Sequence, residues 1–180
     1  MAAGSFHWDA ASVPLSERFD CFVESVCRAF THLEPTRLDR SAVFHARIDH
    51  RETGGVAVTH LAGSNYLSRR TPAGIARAPS HDYYLNYLVT GTLQVHQGGG
   101  QAAVSDAGVF ILDNQRPFEL AMPREGAFRS TVVRMGRPLW LGAHAQGLPG
   151  LEAMLRSHPL LPLLKMHLAQ LSARGATASD

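Results

Sequence analysis

The sequence predicts a mostly β protein, one barrel-like domain with flanking helices, and three observations support this fold class. Between His81 and Phe118, three apolar runs of strand length are separated by the turn sequences Thr90-Gly91, 98–100 and 106–108. Further runs of strand length lie on both sides of this stretch. With 180 residues and 45% hydrophobic content, the chain can form one well-buried core but is short for two. Strands this closely spaced form an antiparallel meander or barrel, which can hold a small molecule.

One amphipathic helix is predicted ahead of the strands, between Leu15 and Leu33. Apolar residues recur there at steps of three and four, with charged residues between them. They are Phe19, Phe22, Val23, Val26, Phe30 and Leu33. Ser12 and Pro14 suit an N-cap and a first helical turn, and Pro35 ends the pattern. We expect a surface helix that packs on an apolar partner.

Strand-like segments then follow in series. They are 42–48, 55–62, 65–69, the three runs between His81 and Phe118, 118–122 and 127–135. In the first of them, Phe44, Ala46 and Ile48 alternate with His45 and Arg47. This alternation predicts a half-buried strand.

The C-terminal part, residues 137–180, is predicted to be helical, while residues 1–136 hold the first helix and the barrel. A short helical or irregular piece begins at Leu139, and a final helix is expected from about Pro159 to Ala173. Its apolar residues cover more than one face. They are Leu160, Leu161, Leu163, Leu164, Met166, Leu168 and Leu171. Such a helix either lies across the barrel or pairs with a second copy across a two-fold axis.

The composition argues against several classes of protein. The net charge is +2, and no basic cluster exceeds a pair such as Arg69-Arg70, so these residues alone are not expected to bind DNA. Cys21 and Cys27 lie six apart in a helical pattern and are poor disulfide partners, which fits a reducing cytoplasm. No apolar run approaches the ~20 residues that span a bilayer, and the N-terminus does not resemble a signal peptide. We expect a soluble, cytoplasmic protein without membrane contact.

Metal binding and catalysis lack positive support in the sequence. Two histidines spaced two apart on one strand can share an ion, and metal-binding cupins carry such a pair with a glutamate a few residues later. The corresponding stretch after Gly91 holds only His96, on the polar face with Thr92 and Gln94. Neither cysteine has a local histidine, and no G-x-S-x-G elbow is present. We therefore predict no metal, no cofactor and no catalytic residue.

A candidate pocket wall lies on the first of the three runs. Tyr83, Leu85, Tyr87 and Val89 share one strand face, and the two tyrosines offer hydroxyls that could orient a ligand. The alternative is that they are ordinary core aromatics. Arginines just upstream could reach over the barrel mouth, or could simply face solvent. These arginines are Arg70 and Arg77.

The residues of this region resemble the N-terminal effector-binding barrel of AraC-type transcription regulators. The likeness rests on 83–91, Val95, Gln97-Gly98, 110–112 and Pro117. An amphipathic helix with Glu17-Arg18-Phe19, and Arg70-Thr71-Pro72 ahead of the Tyr84 strand, are similar to the sub-group whose barrel follows a helix. The resemblance covers about 8–171. It implies a cupin-like double-stranded β-helix, that is, a jelly-roll barrel, that binds a small effector and forms a homodimer.

The chain departs from the family pattern in two respects. The regulators carry two helix-turn-helix motifs in about a hundred further residues, and no such motif follows Leu171. DNA binding is therefore expected only through a C-terminal domain absent from these 180 residues. The turn at Asp106-Ala107-Gly108 replaces the usual Pro-Gly-Asp, and Val109 stands where the acidic residue is expected, which puts a capping role in doubt.

The resemblance also implies specific site residues. The candidate ligand-binding residues are Arg77, Tyr83, Tyr87, Phe118 and Leu120, and the candidate dimerisation residues are Leu160, Leu161, Leu164, Leu168 and Leu171. The effector itself is left open among an aromatic acid, a fatty acid and a sugar. We expect a non-enzymatic, small-molecule-sensing and dimerising domain of a transcription regulator. The alternatives are a small cupin-type enzyme, either an isomerase or a metal-dependent oxygenase, and an interaction module that senses nothing.

Overall fold

The computed structural model describes residues 4–123, 126–136 and 158–177. Its eleven described strands are β1 (Ser5–Asp9), β2 (Glu34–Arg37), β3 (Ala46–Thr53), β4 (Val56–Gly63), β5 (Tyr66–Arg70), β6 (Asp82–Thr90), β7 (Leu93–Gln97), β8 (Gly100–Val104), β9 (Gly108–Asp113), β10 (Phe118–Ala121) and β11 (Phe128–Gly136). The α-helices of the same residues are α1 (Arg18–Ala29), α2 (Pro72–Arg77) and α3 (Leu161–Thr177). The piece predicted around Leu139 lies outside the described residues.

The strands form two antiparallel sheets that share one core. The six-stranded sheet has the order β1-β3-β4-β11-β6-β9, and the five-stranded sheet has the order β2-β5-β10-β7-β8. Buried side chains from both sheets meet in a single cluster, with Ile48 and Leu112 from one sheet and Val95 and Phe118 from the other. The predicted mostly β architecture with flanking helices is confirmed.

Helix α1 closes one side of this core, as its apolar spacing predicted. Phe22 is fully buried and lies 5.0 Å from the Phe44 ring and 4.8 Å from the Tyr66 ring, centroid to centroid. Such tilted and edge-on ring pairs add ~0.5–1.5 kcal/mol each beyond the area they bury. The helix is therefore fixed to the interior of the barrel by its aromatic face.

Strand parity decides which residues face the interior. In β6 the even-numbered residues Tyr84, Asn86 and Leu88 face inward, because Tyr84 and Leu88 belong to the shared core and Asn86 lines its cavity. The odd-numbered Tyr83, Leu85 and Tyr87 belong to a second apolar cluster on the outer face of the six-stranded sheet. Successive side chains of a strand point to opposite faces, so the two sets cannot share one pocket.

Helix α3 covers that outer face. Leu168 is buried there, and Leu164 and Leu171 pack against the same cluster. Their spacing of three and four places them on one side of the helix. The apolar helix therefore lies across the sheet of its own chain. Leu168 is buried in this contact and Leu164 and Leu171 are partly buried, while a role of these residues in a dimer stays a prediction.

The turns between His81 and Phe118 differ from the predicted ones in which residue caps a turn and which residue takes the positive φ. Gly91 has a φ of 100°, and its backbone N–H donates to the Asp106 Oδ1 at 2.6 Å. Asp106 thus supplies the cap that was in doubt once Val109 replaced the family's acidic residue. In the turn between β8 and β9, Ala107 and not Gly108 takes the positive φ, at 58°. A Cβ on Gly108 would collide with a Val104 methyl and lie 2.6 Å from the Ser105 carbonyl oxygen, so that glycine is required by close approach.

Arg70 is a buried structural residue. It is 1% exposed, and its guanidinium donates to the carbonyl oxygens of His32, Gly74 and Ala78 at 2.9, 3.0 and 2.6 Å. Burial lowers its pKa. Through these hydrogen bonds Arg70 connects the segment before β2 with α2 and its C-terminal end. It does not reach over the barrel mouth.

Several element bounds differ from the predicted ones. β3 begins at Ala46 rather than at residue 42, although its predicted inward face is correct. β1 and β2 were not predicted; β2, with the sequence E-P-T-R, is an edge strand, where a proline is tolerated. α2 was also missed. Cys21 and Cys27 are both free thiols in the structure. Within the described residues, no helix is both long and apolar enough to cross a membrane.

Candidate functional site

A small cavity of about 40 Å³ lies between the two sheets and α1. Its lining comes from both sheets, from α1 and from the segment after it. The lining residues are Val26, Phe30, Leu33, Leu61, Tyr66, Ser68, Tyr84, Asn86, Leu93, Phe110, Leu112, Phe118, Leu120, Met122, Phe128, Ser130 and Val132. We call this space the barrel cavity. A water needs roughly 10–15 Å³ by this kind of measure, so the cavity has room for a few waters.

Three hydroxyl groups of the cavity lining are buried without a hydrogen-bond partner among the described residues. They belong to Tyr66 and Ser68, which lie two apart on one face of β5, and to Tyr84 on β6. Burial raises the pKa of both tyrosines, and for Tyr84 it outweighs the nearby Asn114 carboxamide, which lowers that pKa. Both phenols are therefore neutral and able to donate. Buried hydroxyls nearly always have a partner. Asn114 lies beside the Tyr84 hydroxyl, so the hydroxyls of Tyr66 and Ser68 are the ones that mark a place where water or a ligand completes the site.

The remaining lining is apolar or carries a neutral amide or hydroxyl. None of the seventeen lining residues, all within the described ranges, is charged. A carboxylate or ammonium placed here would lose its hydration without gaining a counter-charge. The chemistry of the barrel cavity therefore suits a neutral, partly apolar molecule that carries hydroxyl or carbonyl groups.

Helix α1 and the residues that follow it form the wall most able to move. Val26 contributes from the helix, and Phe30 and Leu33 from the segment after it. Phe30 is only half-buried and contacts Tyr84 edge-on, with ring centroids 5.5 Å apart. Apart from the edge strand β9, the strands that line the cavity are hydrogen-bonded to a neighbour on both sides, so displacement of Phe30 is the less costly way to open the cavity.

The structure separates the predicted ligand residues into two groups. Phe118 and Leu120 line the barrel cavity, and their contact with a ligand stays a prediction. Tyr83 and Tyr87 do not line it: the expectation that the odd-numbered face of β6 forms the inner wall is wrong, because α3 covers that face. Arg77 is likewise outside the cavity, at the end of α2, with its Nη1 2.9 Å from the Nε2 of His32.

Sequence reasoning missed the polar residues of the cavity. Tyr66 and Ser68 lie two apart on β5, and the inward face of β6 carries Tyr84 and Asn86. A signal was present, since polar residues at inward positions of predicted strands are uncommon and usually functional. It could be recognised only once the inward face of β6 was known.

The histidines that the structure describes lie apart from one another or in pairs with other side chains. His96 lies opposite Glu119 on the outer face of the five-stranded sheet, while Leu93 and Val95 face the core as the parity predicted. Among the described residues, no three or more histidine, cysteine, aspartate or glutamate side chains lie close enough to hold a metal ion.

Known proteins were compared with this chain in sequence and in fold. A family model described as an AraC-binding-like domain matches residues 22–179. The crystal structure of the AraC-like transcriptional activator CuxR is similar with a TM-score of 0.67 at 12% identity, over 97% of this chain and 69% of that one. The cupin domain of Cnp3 from Schizosaccharomyces pombe has a TM-score of 0.42 at 13% identity, over 59% and 77%. No curated protein matches the chain in sequence.

The family match and the likeness to CuxR agree with the sheets described above. The predicted fold class is confirmed as mostly β and cupin-like, although the described strands form two separate sheets rather than one closed barrel. The match extends from α1 into α3 and covers both the barrel cavity and the helix on the outer sheet face. The chain therefore belongs to the AraC-binding-like domain family, the regulatory domain of AraC-type transcription regulators.

Proposed function

We propose that this chain is the small-molecule-sensing and dimerising part of an AraC-type transcription regulator, and that the barrel cavity receives the effector. The observation that carries the proposal is the pair of buried hydroxyls on β5, those of Tyr66 and Ser68, that no described residue satisfies. In this proposal the domain binds and does not catalyse. DNA is contacted by a helix-turn-helix region outside these 180 residues, and the protein acts in the cytoplasm.

The size of the barrel cavity implies that effector binding is coupled to a movement. Ligand pockets for metabolite-sized molecules are typically ~300–1,000 Å³, whereas the barrel cavity measures about 40 Å³. The effector must therefore displace side chains, and Phe30 with the C-terminal end of α1 is the movable wall. A ligand that binds only the opened arrangement shifts the population toward it, which is the minimum requirement for a sensor.

The effector class follows from the lining. With no charged residue in the wall, a neutral molecule with hydroxyl or carbonyl groups is favoured over the aromatic and fatty acids that the sequence left open. Tyr66 and Ser68 would bind one polar edge of it, and Phe118 and Leu120 would contact its apolar surface.

The proposal predicts a specific effect of removing one buried hydroxyl. A panel of neutral hydroxylated metabolites and of carboxylates of equal size is screened by thermal shift, and Kd is measured for the best neutral compound. The Tyr66→Phe variant keeps the ring but loses one hydrogen bond, so we expect its Kd to rise about 3- to 10-fold. Tyr87→Phe, on the outer sheet face, is the matched control and should bind as the wild type does.

Failure of this screen would favour the second candidate function, an interaction module whose barrel is filled by its own side chains. The observation that favours it is the small volume of the barrel cavity. It predicts that no compound of the panel raises the melting temperature. Equal weakening by Tyr66→Phe and Tyr87→Phe would also count against binding in the barrel.

The dimer part of the proposal uses the outward face of α3. Leu163 and Met166 of α3, and Leu160 just before it, are 51%, 47% and 55% exposed, so they offer apolar surface that the sheet does not cover. Of the five candidate dimerisation residues, Leu160 is the most exposed that the structure describes, and Leu163 and Met166 extend this surface. A two-fold contact through this surface would bury it in both copies.

We expect Leu163→Asp to convert the dimer to a monomer, as measured by light scattering at fixed protein concentration. A carboxylate at the centre of a small apolar interface loses its hydration with no partner to compensate. Leu15→Asp is the matched control, because Leu15 is 65% exposed but distant in sequence from α3. A wild-type monomer, or equal dissociation in both variants, would contradict the proposed interface.

A further inference from the structure

A second and larger cavity lies outside the barrel, between the six-stranded sheet and α3. It measures about 440 Å³, and its walls include Arg47, His60, Ala62, Tyr87, Arg129 and Ala169. We call it the sheet–helix cleft. Most of its sheet side chains come from the face of these strands opposite the barrel cavity, and only Leu61 and Ser130 line both spaces.

The strand register builds the charged end of this cleft. Ala62 on β4 is paired with Arg47 on β3 and with Arg129 on β11. Residues directly opposite one another point to the same face, and neighbouring strands lie ~4.8 Å apart. The two arginines therefore stand on either side of a methyl group, about two strand spacings apart. Ala62 leaves open the space between them.

The guanidinium groups retain donors in this arrangement. Within the described part of the chain, Arg47 donates through Nε to the Asp49 Oδ2 at 3.2 Å, and Arg129 donates through Nε to the Thr90 Oγ1 at 3.4 Å. Neither contact uses an Nη atom. Each arginine keeps donors that can approach an oxygen anion side by side. The Asp49 Oδ1 also lies 2.6 Å from the His7 Nδ1. With Asp49 ionised and His7 counted as neutral, Arg47, Arg129 and Asp49 give this end of the cleft one net positive charge.

The rest of the cleft is polar but uncharged at its floor and apolar at its far wall. Thr131 Oγ1 lies 3.0 Å from the His60 Nδ1 and 2.6 Å from the Ser172 Oγ, which joins the sheet to α3. Burial lowers the pKa of His60, so its ring is neutral near pH 7. Beyond this row, Tyr87 and Val89 present an apolar surface that faces Ala169 of the helix.

We propose that the sheet–helix cleft binds a small organic monocarboxylate, with its carboxylate between Arg47 and Arg129 and its apolar body against Tyr87 and Val89. One net positive charge matches one carboxylate, whereas a dianion would leave one negative charge unpaired. The small side chains of Ala62 and Ala169 provide the depth that an aromatic or branched body requires. Such a ligand would contact both the sheet and α3 and hold them together.

The probe for this proposal is phenylacetate, compared with its neutral isostere phenylacetamide by NMR titration of the whole chain. We expect phenylacetate to shift amide resonances around Ala62 on β3, β4 and β11 and in α3, and phenylacetamide to bind at least about tenfold more weakly. Tighter binding of benzylphosphonate than of phenylacetate would overturn the monocarboxylate class.

Single arginine variants distinguish direct binding of phenylacetate by Arg47 and Arg129 from a general effect of positive charge on its affinity. Arg129→Gln should weaken phenylacetate binding about tenfold, and Arg47→Gln similarly. Arg51→Gln is the matched control, since Arg51 lies on β3 beyond Asp49 but does not line the cleft. Equal weakening in all three variants, or shifts confined to the barrel cavity, would overturn the proposal. Tyr66→Phe should leave phenylacetate affinity unchanged, so this site can fail or hold independently of the effector in the barrel.

Discussion

Arg70→Met is expected to lower the free energy of unfolding by at least about 3 kcal/mol, measured by urea denaturation with intrinsic fluorescence. The methionine fills similar space but cannot donate, so the carbonyl oxygens of His32, Gly74 and Ala78 lose a charged donor in a buried place. A buried carbonyl left without a partner costs ~1–3 kcal/mol. The reason for the large effect is that one side chain serves three such groups at once.

Arg69→Met is the control for this result. Arg69 precedes Arg70 on the same strand but faces outward, where its Nε donates to the Glu119 carboxylate at 2.8 Å. Exposed ion pairs contribute ~0–1 kcal/mol, so this variant should lose less than about 1 kcal/mol. If the two variants were destabilised equally, the carbonyls around Arg70 would have found other donors, and its role as a buried connector would be wrong.

Leu168→Asp is expected to release α3 from the outer face of the six-stranded sheet. Leu168 is 4% exposed and lies against the cluster that contains Tyr83, Leu85 and Tyr87. Truncating a buried leucine costs ~2–5 kcal/mol, and an unpaired charge in its place costs more. We expect amide hydrogen exchange in α3 to accelerate by at least about a hundredfold, while the inward-facing core remains protected.

His167→Asp introduces the same charge one residue earlier, on the exposed side of α3. Substitutions at such positions change stability by less than ~0.5 kcal/mol, so exchange in α3 should stay within a few-fold of the wild type. Global unfolding of Leu168→Asp, with no stage at which only α3 exchanges quickly, would show that the helix and the barrel form one cooperative unit.

The strands of the meander could be predicted because their turns carry local signals. Gly91, Gly98 and Gly99 all have a positive φ, and the apolar runs between them have the length of strands. The alternation of Leu93 and Val95 also identified correctly which side of β7 is buried. Both kinds of signal are contained in a few consecutive residues, so no knowledge of distant contacts was needed.

The face of β6 could not be predicted, because both faces are apolar for different reasons. Tyr84 and Leu88 face the core between the sheets, and Leu85 and Tyr87 face α3. Alternation of apolar and polar residues along a strand identifies the buried face only when the other face is exposed to water. The same ambiguity affected α3, whose leucines appeared to need a second copy although some of them pack on the sheet. Taken alone, β6 and α3 each carry more apolar surface than one buried face needs. The contact between them explains this surface on β6 and part of it on α3.

The two packed faces of β6 have a mechanical consequence. A strand with solvent on one side can bow toward it, but β6 has close-packed side chains on both sides, and packed interiors deform little. An effector that enlarged the barrel cavity by moving Tyr84 and Asn86 outward would displace Leu85 and Tyr87 with them, toward Leu168. In this way β6 would transmit a change in the volume of the barrel cavity to α3 as a displacement of the side chains packed against Leu168.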